Sequence, residues 1–394
     1  MVSEDDVLNL HRILRGKIQI QNRIPLDEIN QEKDNVLGET LSLIYTPGVA
    51  HVAEKIQKNK GLVYDYTSKW NTIAIICDGT RVLGLGNIGP EAALPVMEGK
   101  SVIFRTMGGV NAIPLCIDSQ DEEEIIRFTK MVQPVFGAIN IEDIESPKVL
   151  HIVERLQKEL SVPVFHDDQH GTSVVTLAAL LNALKLENKK IEELKVVIAG
   201  AGSAGYGIFK ILQKANCTNI TVVDKKGAIY QDRKEGGIDN PYKKEIASNT
   251  NREKRAGTLA DIIKDADVFI GVSGKDGLLT EQMVKSMKKE PIVFALSNPD
   301  PEILPSDAAK AGAKITATGR SDYPNQINNA LVFPYILRAL LDTRSKKVDY
   351  AMLVGVAHAI ASLIDQSQLK EDYILPRLND LRLTSRITRT METR

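Results

Sequence analysis

The stretch KVVIAGAGSAGYGIFKILQKANCTNITVVDKKG, residues 195–227, constrains the fold more than any other part of the chain. An apolar run of strand length leads into Gly200, Gly202 and Gly205, spaced as GxGxxG. A helical segment follows, and a second apolar run ends in Asp224, 22 residues after Gly202. A lone glycine triplet says little, but strand, glycine turn, helix, strand and terminal acid in this order form the full context of a dinucleotide-binding βαβ unit. Gly200 permits the tight turn, Gly202 lets backbone amides approach a pyrophosphate, and Gly205 lets helix and strand pack closely. Ser203 and Ala204 open the helix, whose N-terminus stabilises the anion. The competing reading is a βα turn that merely tolerates glycine. Asp224 would accept from a ribose 2′-hydroxyl, as in NAD. Lys225 and Lys226 follow it directly and could neutralise a 2′-phosphate if Asp224 turned away, so NAD and NADP both stay open. A second triplet, GLGNIG at Gly84, Gly86 and Gly89, is followed by Pro90 and by no strand ending in an acid; it reads as a turn with close backbone packing.

With 394 residues, the chain exceeds one ordinary core, so two α/β units are expected, meeting near residues 160–172. Before the boundary, β-rich runs are read at 71–89 (NTIAIICDGTRVLGLGNIG), near 101 (SVIFRT) and near 111 (NAIPLCID). Helices are read in DEEEIIRFTKMVQPVFG and at 147–159, with strands in AINIEDI and VPVFHDD. After it, TSVVTLAALLNALKLEN reads as a long helix, and βα alternation continues through DVFIGVS, PIVFALSNPD and KITATG, the pattern of a doubly wound parallel sheet. The C-terminal stretch is helical, and its arginines, Arg386, Arg389 and Arg394, suit a solvated or subunit-contacting face.

A net charge of −1 gives no global attraction to nucleic acid or membrane. No apolar run approaches the roughly 20 residues of a membrane helix. The acidic start, MVSEDDVLNL, lacks the basic and apolar parts of a secretory leader, which predicts a cytoplasmic protein. Cys77, Cys116 and Cys217 are scattered and support neither a disulfide framework nor a zinc site.

Chemistry concentrates in two places. VFHDDQHGT at 164–172 sets Asp167 and Asp168 between His166 and His170, and NIEDI carries Glu142 and Asp143. Each pair ends an apolar run, the edge at which open α/β sheets place ligands. Crowded carboxylates repel unless a cation offsets them, and hard oxygen donors select Mg²⁺ or Mn²⁺. The HxxxH pair is a poor zinc motif because it lacks a central glutamate and Gly171 interrupts it. The acids could instead cap helices or pair with lysines.

These segments, together with YTPGVA, CDGTRVLGLGNIGPEAALPVMEGK, VSGKDGLL, ALSNPDPE and SDYPNQINNALVFP, resemble a malic enzyme of the short bacterial type in order and nearly end to end. The resemblance implies an N-terminal α/β malic-type domain over 1–160 and a Rossmann-like NAD(P)-binding domain with a helical tail over 161–394. It implies (S)-malate as substrate, pyruvate, CO₂ and NAD(P)H as products, or lactate and CO₂ without net NAD(P)H in a malolactic variant of the same chemistry, and a homodimer. By the same resemblance, Lys100 is the base at the C2 hydroxyl, with Asp167 as relay partner and a pKa that must fall toward neutrality. Tyr45 is the acid at C3. Glu142, Asp143 and Asp168 are the metal ligands. Arg81 clamps a carboxylate, and Asn298 and Asn329 orient substrate, Asn298 also contacting the cofactor. Asn111 and Tyr335, with Ala339, depart from the family pattern without touching these positions. A metal-dependent hydrolase would require the dinucleotide site to be false, and a nucleotide sensor would not need acid, base and metal together.

Overall fold

The computed structural model describes residues 4–14, 17–18, 34–234 and 238–392; Arg394 of the basic tail lies outside them. An N-terminal arm of three helices, α1 (Glu4–Leu14), α2 (Asp34–Ile44) and α3 (Val49–Lys58), precedes the first sheet. That sheet is built from β1 (Thr72–Cys77), β2 (Asn111–Cys116), β3 (Ala138–Glu142) and β4 (Val164–His166), in the order β2-β1-β3-β4. All its pairings are parallel. Strand β1 is buried along its whole length, so it reads as the unbroken apolar run TIAIIC rather than an alternation.

The crossovers are α4 (Pro90–Gly108), α5 (Glu122–Val132) and α6 (Lys148–Glu159). Helix α4 overturns the β reading of SVIFRT. Pro90 opens it, its buried residues are Ala93, Met97, Ser101, Phe104 and Gly108, and this spacing of three and four makes one helical stripe. The composition of SVIFRT is β-like, yet Ser101 and Phe104 fall on the stripe that began ten residues earlier. The run 71–89 likewise yields only β1. Its remainder is a turn in which Ile88 N–H donates to Gly79 O and Val82 bridges Gly86. A Cβ on Gly79 would stand 2.2 Å from Gly89 O, which is the close backbone packing expected of GLGNIG.

The second sheet comprises β5 (Lys195–Ala199), β6 (Asn219–Asp224), β7 (Gly227–Ala228), β8 (Val268–Gly271), β9 (Ile292–Ala295) and β10 (Ile315–Thr318), in the order β10-β9-β8-β5-β6-β7. Only the two-residue β7 runs antiparallel. The chain winds one way from β5 to β6 and then returns to β8 on the other side of β5. The crevice beyond the end of β5 is therefore a topological switch point, where such sheets bind ligands. Helices α7 (Thr172–Glu187), α8 (Ser203–Lys214) and α9 (Pro241–Asn249) belong to this half.

The C-terminal helices are α10 (Phe333–Asp342), α11 (Tyr350–Ala361) and α12 (Arg382–Glu392). Helix α10 packs back on α4: a Cβ on Gly108 would lie 2.4 Å from Pro334 O, and Phe104 meets Phe333 edge-on at 4.8 Å. Tyr335, a departure from the family pattern, is buried there and its hydroxyl donates to Leu378 O at 2.7 Å. Helix α12 buries Leu383, Ile387 and Met391 and leaves Arg386 and Arg389 exposed. Among the described residues no helix is long and apolar enough to cross a membrane.

Candidate active site between the two sheets

Parallel strands deliver their C-terminal ends to one edge. Cys77 pairs with Glu142 and Ile141 with His166, so the segments following β1, β3 and β4 emerge side by side. Asp167–Gly171 then forms a single wide π-helical turn that runs straight into α7. Here Gly171 leaves room for the Asp167 carboxylate, since a Cβ on it would fall 2.0 Å from Asp167 Oδ1 and force that side chain to shift.

Lys100, carried across by α4, projects into this edge. Its Nζ donates to Glu142 Oε1, and to Asp167 Oδ2 at 2.8 Å, while the ammonium stands 4.8 Å from the centre of the Phe333 ring. Both carboxylates are buried. Asn140 Nδ2 donates to Glu142 Oε1 at 2.7 Å, which fixes that side chain further. Burial alone would lower the lysine pKa. Asp167 and Glu142 outweigh it and hold Lys100 above the ordinary lysine value. The fall toward neutrality expected of a base is thus not seen, because two anions face one cation.

The remaining acids carry uncompensated charge. Asp143 sits at φ 48, a left-handed backbone that aspartate tolerates, and its carbonyl accepts Arg81 N–H. Burial first and Asp168 next push the Asp143 carboxyl up to about 7. Glu142 is raised well above its usual range by burial, offset by Lys100 and reinforced by Asp167, Asp168 and Asp143. The side chains of Asp143 and Asp168 make no hydrogen bond or ion pair among the described residues, and Asp167 Oδ1 is buried without a partner there. Among the described residues, however, no three His, Cys, Asp or Glu side chains stand grouped around one point. Glu142 is turned instead toward Lys100 and Asn140. The donor set, hard and over-supplied with negative charge, suits a divalent cation; the preassembled cage expected from the sequence is not there.

Asn329 is brought to the same place, exchanging hydrogen bonds with Thr172 Oγ1 at 3.1 and 3.2 Å. Arg81 is exposed and reaches across to the loop after β8, its Nη2 3.6 Å from where a Gly274 Cβ would stand. Asn298 is exposed on the loop after β9 and lies against Gly319. Tyr45, 69% exposed where α2 ends, makes no side-chain hydrogen bond among the described residues and is not joined to the Lys100 cluster.

The dinucleotide fingerprint folds as read. A Cβ on Gly200, at φ 118, would strike Val272 O at 2.4 Å, one on Gly205 would strike Gly200 O at 1.9 Å, and one on Gly202 would meet nothing within 4 Å. The first two are packing glycines and the third leaves room for a ligand. A cleft of about 970 Å³ is lined by Gly200, Gly202, Asp224 and Lys225 from the second sheet and by Ser146 and Pro147 from the first unit. Ser203 and Ala204 are the first residues of α8 but do not line it.

Two groups escaped sequence reasoning. Glu302, fully buried, accepts from Ser273 N–H and Oγ, each at 2.8 Å, and from Ser297 Oγ at 2.6 Å, tying together the loops that carry Gly274 and Asn298. A glutamate inside NPDPE was the only signal. Phe333, under Lys100, reads as one more core aromatic in NNALVFP.

His170 disposes of the zinc alternative. Its Nδ1 accepts His166 N–H at 3.1 Å and its ring packs between Phe165 and Tyr350, at 5.4 and 6.0 Å. Burial pushes its pKa down to about 3. Between an unfolded value near 6.5 and that folded value, the unfolded chain takes up a proton that the native ring refuses. Stability from this group is therefore fully present above pH 6.5 and lost as pH falls toward 3. Urea unfolding between pH 7 and 4.5 should show that loss, and His170→Gln should flatten its slope; an unchanged slope would locate the acid sensitivity elsewhere.

Comparison with known proteins decides the family. Residues 169–391 match the malic enzyme NAD binding domain, and residues 27–127 match the malic enzyme N-terminal domain. The chain belongs to the malic enzyme family. It is 47% identical over 391 residues to the bifunctional malic/malolactic enzyme of Bacillus subtilis, covering 99% of this chain and 92% of that one. It is 48% identical over 372 residues to the NAD-dependent malic enzyme of Geobacillus stearothermophilus, covering 94% and 75%. Among solved structures, the NAD-dependent malic enzyme of Thermotoga maritima superposes with a TM-score of 0.92 at 44% identity, covering 100% of this chain and 99% of that one. The malic enzyme fold, an N-terminal domain joined to a Rossmann-like NAD-binding domain, is therefore that of this chain. Asn111, where the family pattern leads one to expect aspartate, accepts from Arg105 Nη1 at 3.1 Å on the exposed edge strand β2.

Proposed function

We propose that this chain carries out the oxidative decarboxylation of (S)-malate to pyruvate and CO₂ with reduction of NAD(P)⁺. The observation that supports it most is Lys100 held between the buried carboxylates of Glu142 and Asp167 at the C-terminal edge of the first sheet, in a chain whose second sheet carries the glycine-lined cleft. Lys100 takes the proton of the C2 hydroxyl as hydride leaves C2, and Asp167 relays it. Arg81 holds a malate carboxylate through its planar fork. Asn329 and Asn298, on facing loops, orient the substrate. Tyr45 protonates C3 after CO₂ departs, which requires the exposed arm to fold over the cleft.

Glu142, Asp143 and Asp168 would hold Mg²⁺ or Mn²⁺, whose chemistry is to polarise the C2 oxygen and accept charge as the carboxylate is lost. Supporting this, the side chains of Asp143 and Asp168 have no partner among the described residues, and all three acids repel one another. Engaging Glu142 elsewhere would also release Lys100 from one of the anions that keep it protonated.

We further propose a cytoplasmic homodimer. Helix α3 has no buried residue, and Leu41, Leu43, Ile44 and Val49 are exposed on the arm, an apolar surface that a second copy would cover. A second reading, malolactic, is favoured by the bifunctional malic/malolactic name of the Bacillus subtilis relative. The deciding assay follows reduced nucleotide, pyruvate and lactate from malate, with NAD or NADP, with and without Mn²⁺. Equal yields of pyruvate and reduced nucleotide that depend on the ion are expected. Lactate without reduced nucleotide would establish the second reading, and no turnover of malate would end both.

A further inference from the structure

At the far end of the cleft, beyond the glycine turn, Asp224 is already engaged by the protein's own donors. Its Oδ1 accepts Lys226 N–H and Arg233 Nη1, each at 2.9 Å. Its Oδ2 accepts Arg233 Nη2 at 2.9 Å and faces Lys243 Nζ at 3.3 Å. A carboxylate offers about four acceptor sites; three hydrogen bonds occupy most of them, and the Lys243 ammonium pairs with the charge that remains. Arg233 is itself buried, and its Nη1 also reaches Gly227 O and Ala228 O at 3.3 Å, so the guanidinium is held by backbone as well as by the acid. Against the effect of burial, Arg233, Lys226 N–H and Lys243 keep the Asp224 carboxyl below its ordinary range, ionised at any working pH.

The charge around it is lopsided. Asp224 pairs with Gly227 across a two-residue hairpin turn, and this turn sets Lys225 and Lys226 on the exposed rim. Lys225, Lys226, Arg233 and Lys243 all line the cleft here, against Asp224, Asp239 and Asp261, and Asp239 is already 3.2 Å from Lys243. A free ribose diol needs an open acceptor and finds none without breaking a charge-assisted bond. A 2′-phosphate brings a dianion to this basic cluster, where the ammoniums of Lys225 and Lys243 can turn to it while the Arg233 fork stays on Asp224.

We infer that this cleft selects a dinucleotide bearing a 2′-phosphate over one with a free 2′-hydroxyl, and that Arg233, Lys225 and Lys243 determine the choice. The inference rests on the reading of the cleft as the dinucleotide site of the proposed reaction, and it takes Asp224 out of the ribose-binding role its position suggests.

Binding alone tests it, without turnover. Titration of the full chain in a calorimeter with 2′,5′-ADP and with 5′-AMP should give the 2′-phosphorylated fragment an advantage of about 10- to 100-fold, the worth of one or two charge-assisted contacts. Lys225→Ala, an exposed and structurally mild change, should erase about a fivefold share of that advantage. Arg233→Ala should remove most of it, and in steady-state assays should raise KM for NADP far more than KM for NAD. Equal binding of the two fragments, or equal losses for both nucleotides in the Lys225 variant, would overturn the inference. If malate is oxidised best with NAD, the proposed reaction stands and this inference falls. If neither nucleotide supports malate oxidation yet 2′,5′-ADP binds preferentially, the reaction falls and the inference stands.

Discussion

Lys100→Ala is expected to lower kcat for malate oxidation by about 10²–10⁴-fold, the usual worth of a positioned general base, with dinucleotide affinity held within about twofold. The two effects separate because Lys100 contacts Glu142, Asp167 and the Phe333 ring but does not line the dinucleotide cleft. Alanine also leaves two buried carboxylates without their cation, and breaking such a pair costs about 3–5 kcal/mol unless the acids take up protons. Glu142 is already raised well above its ordinary value with the lysine in place, so proton uptake is the easier response.

Lys100→Arg distinguishes lost chemistry from lost fold. Arginine keeps the charge between the two acids but cannot give up a proton near neutral pH. The arginine variant should therefore match the parent in urea unfolding and nucleotide titration and still lose turnover. A thermally stable Lys100→Arg protein that oxidised malate at the parental rate would remove Lys100 from proton transfer and leave it a structural counter-ion.

The parts of the fold that were legible are those whose signal is local. The fingerprint at 195–227 was readable because glycine positions, strand ends and Asp224 are fixed by one βαβ unit, and each glycine then meets the backbone atom that demands it. The strands TIAIIC and NITVVD were readable because strands of a parallel sheet covered on both faces carry unbroken apolar runs. SVIFRT was misread for the opposite reason: its helical identity depends on Ala93 and Met97 upstream, which a six-residue window does not contain.

In the site, residue types and strand-end positions were readable, whereas pairings were not. Nothing in the spacing reveals that Glu142 turns to Lys100, since Lys100 arrives on a helix 42 residues earlier. Arg233 was missed at the adenosine end because its partner Asp224 lies nine residues away through an irregular segment with no periodicity. Sequence placed the acid at the end of β6 and left it open between a ribose hydroxyl and neighbouring lysines; only the geometry shows Arg233 bound to it.

Asp168→Asn separates a metal ligand from a structural acid, because the two roles predict opposite signs. Asp168 raises both Glu142 and Asp143 through like-charge repulsion and has no protein partner of its own. In chelator-treated protein, removing its charge relieves that repulsion, so the variant should melt at or above the parental temperature. With Mn²⁺ present the order should reverse. The parent gains stability as RT ln(1 + [L]/Kd), whereas the variant, having exchanged an anionic oxygen for a neutral amide, should need at least about 10- to 100-fold more ion for the same gain. Turnover should follow the same displaced titration. A purely structural aspartate would give neither result: its loss would lower the melting temperature with or without Mn²⁺ and leave the ion titration where it was. Since the melting curves require no catalysis, they test the site even if the proposed reaction is wrong. The carboxylates of Glu142, Asp143 and Asp168 would then be shown to lose their mutual repulsion only when a cation enters among them.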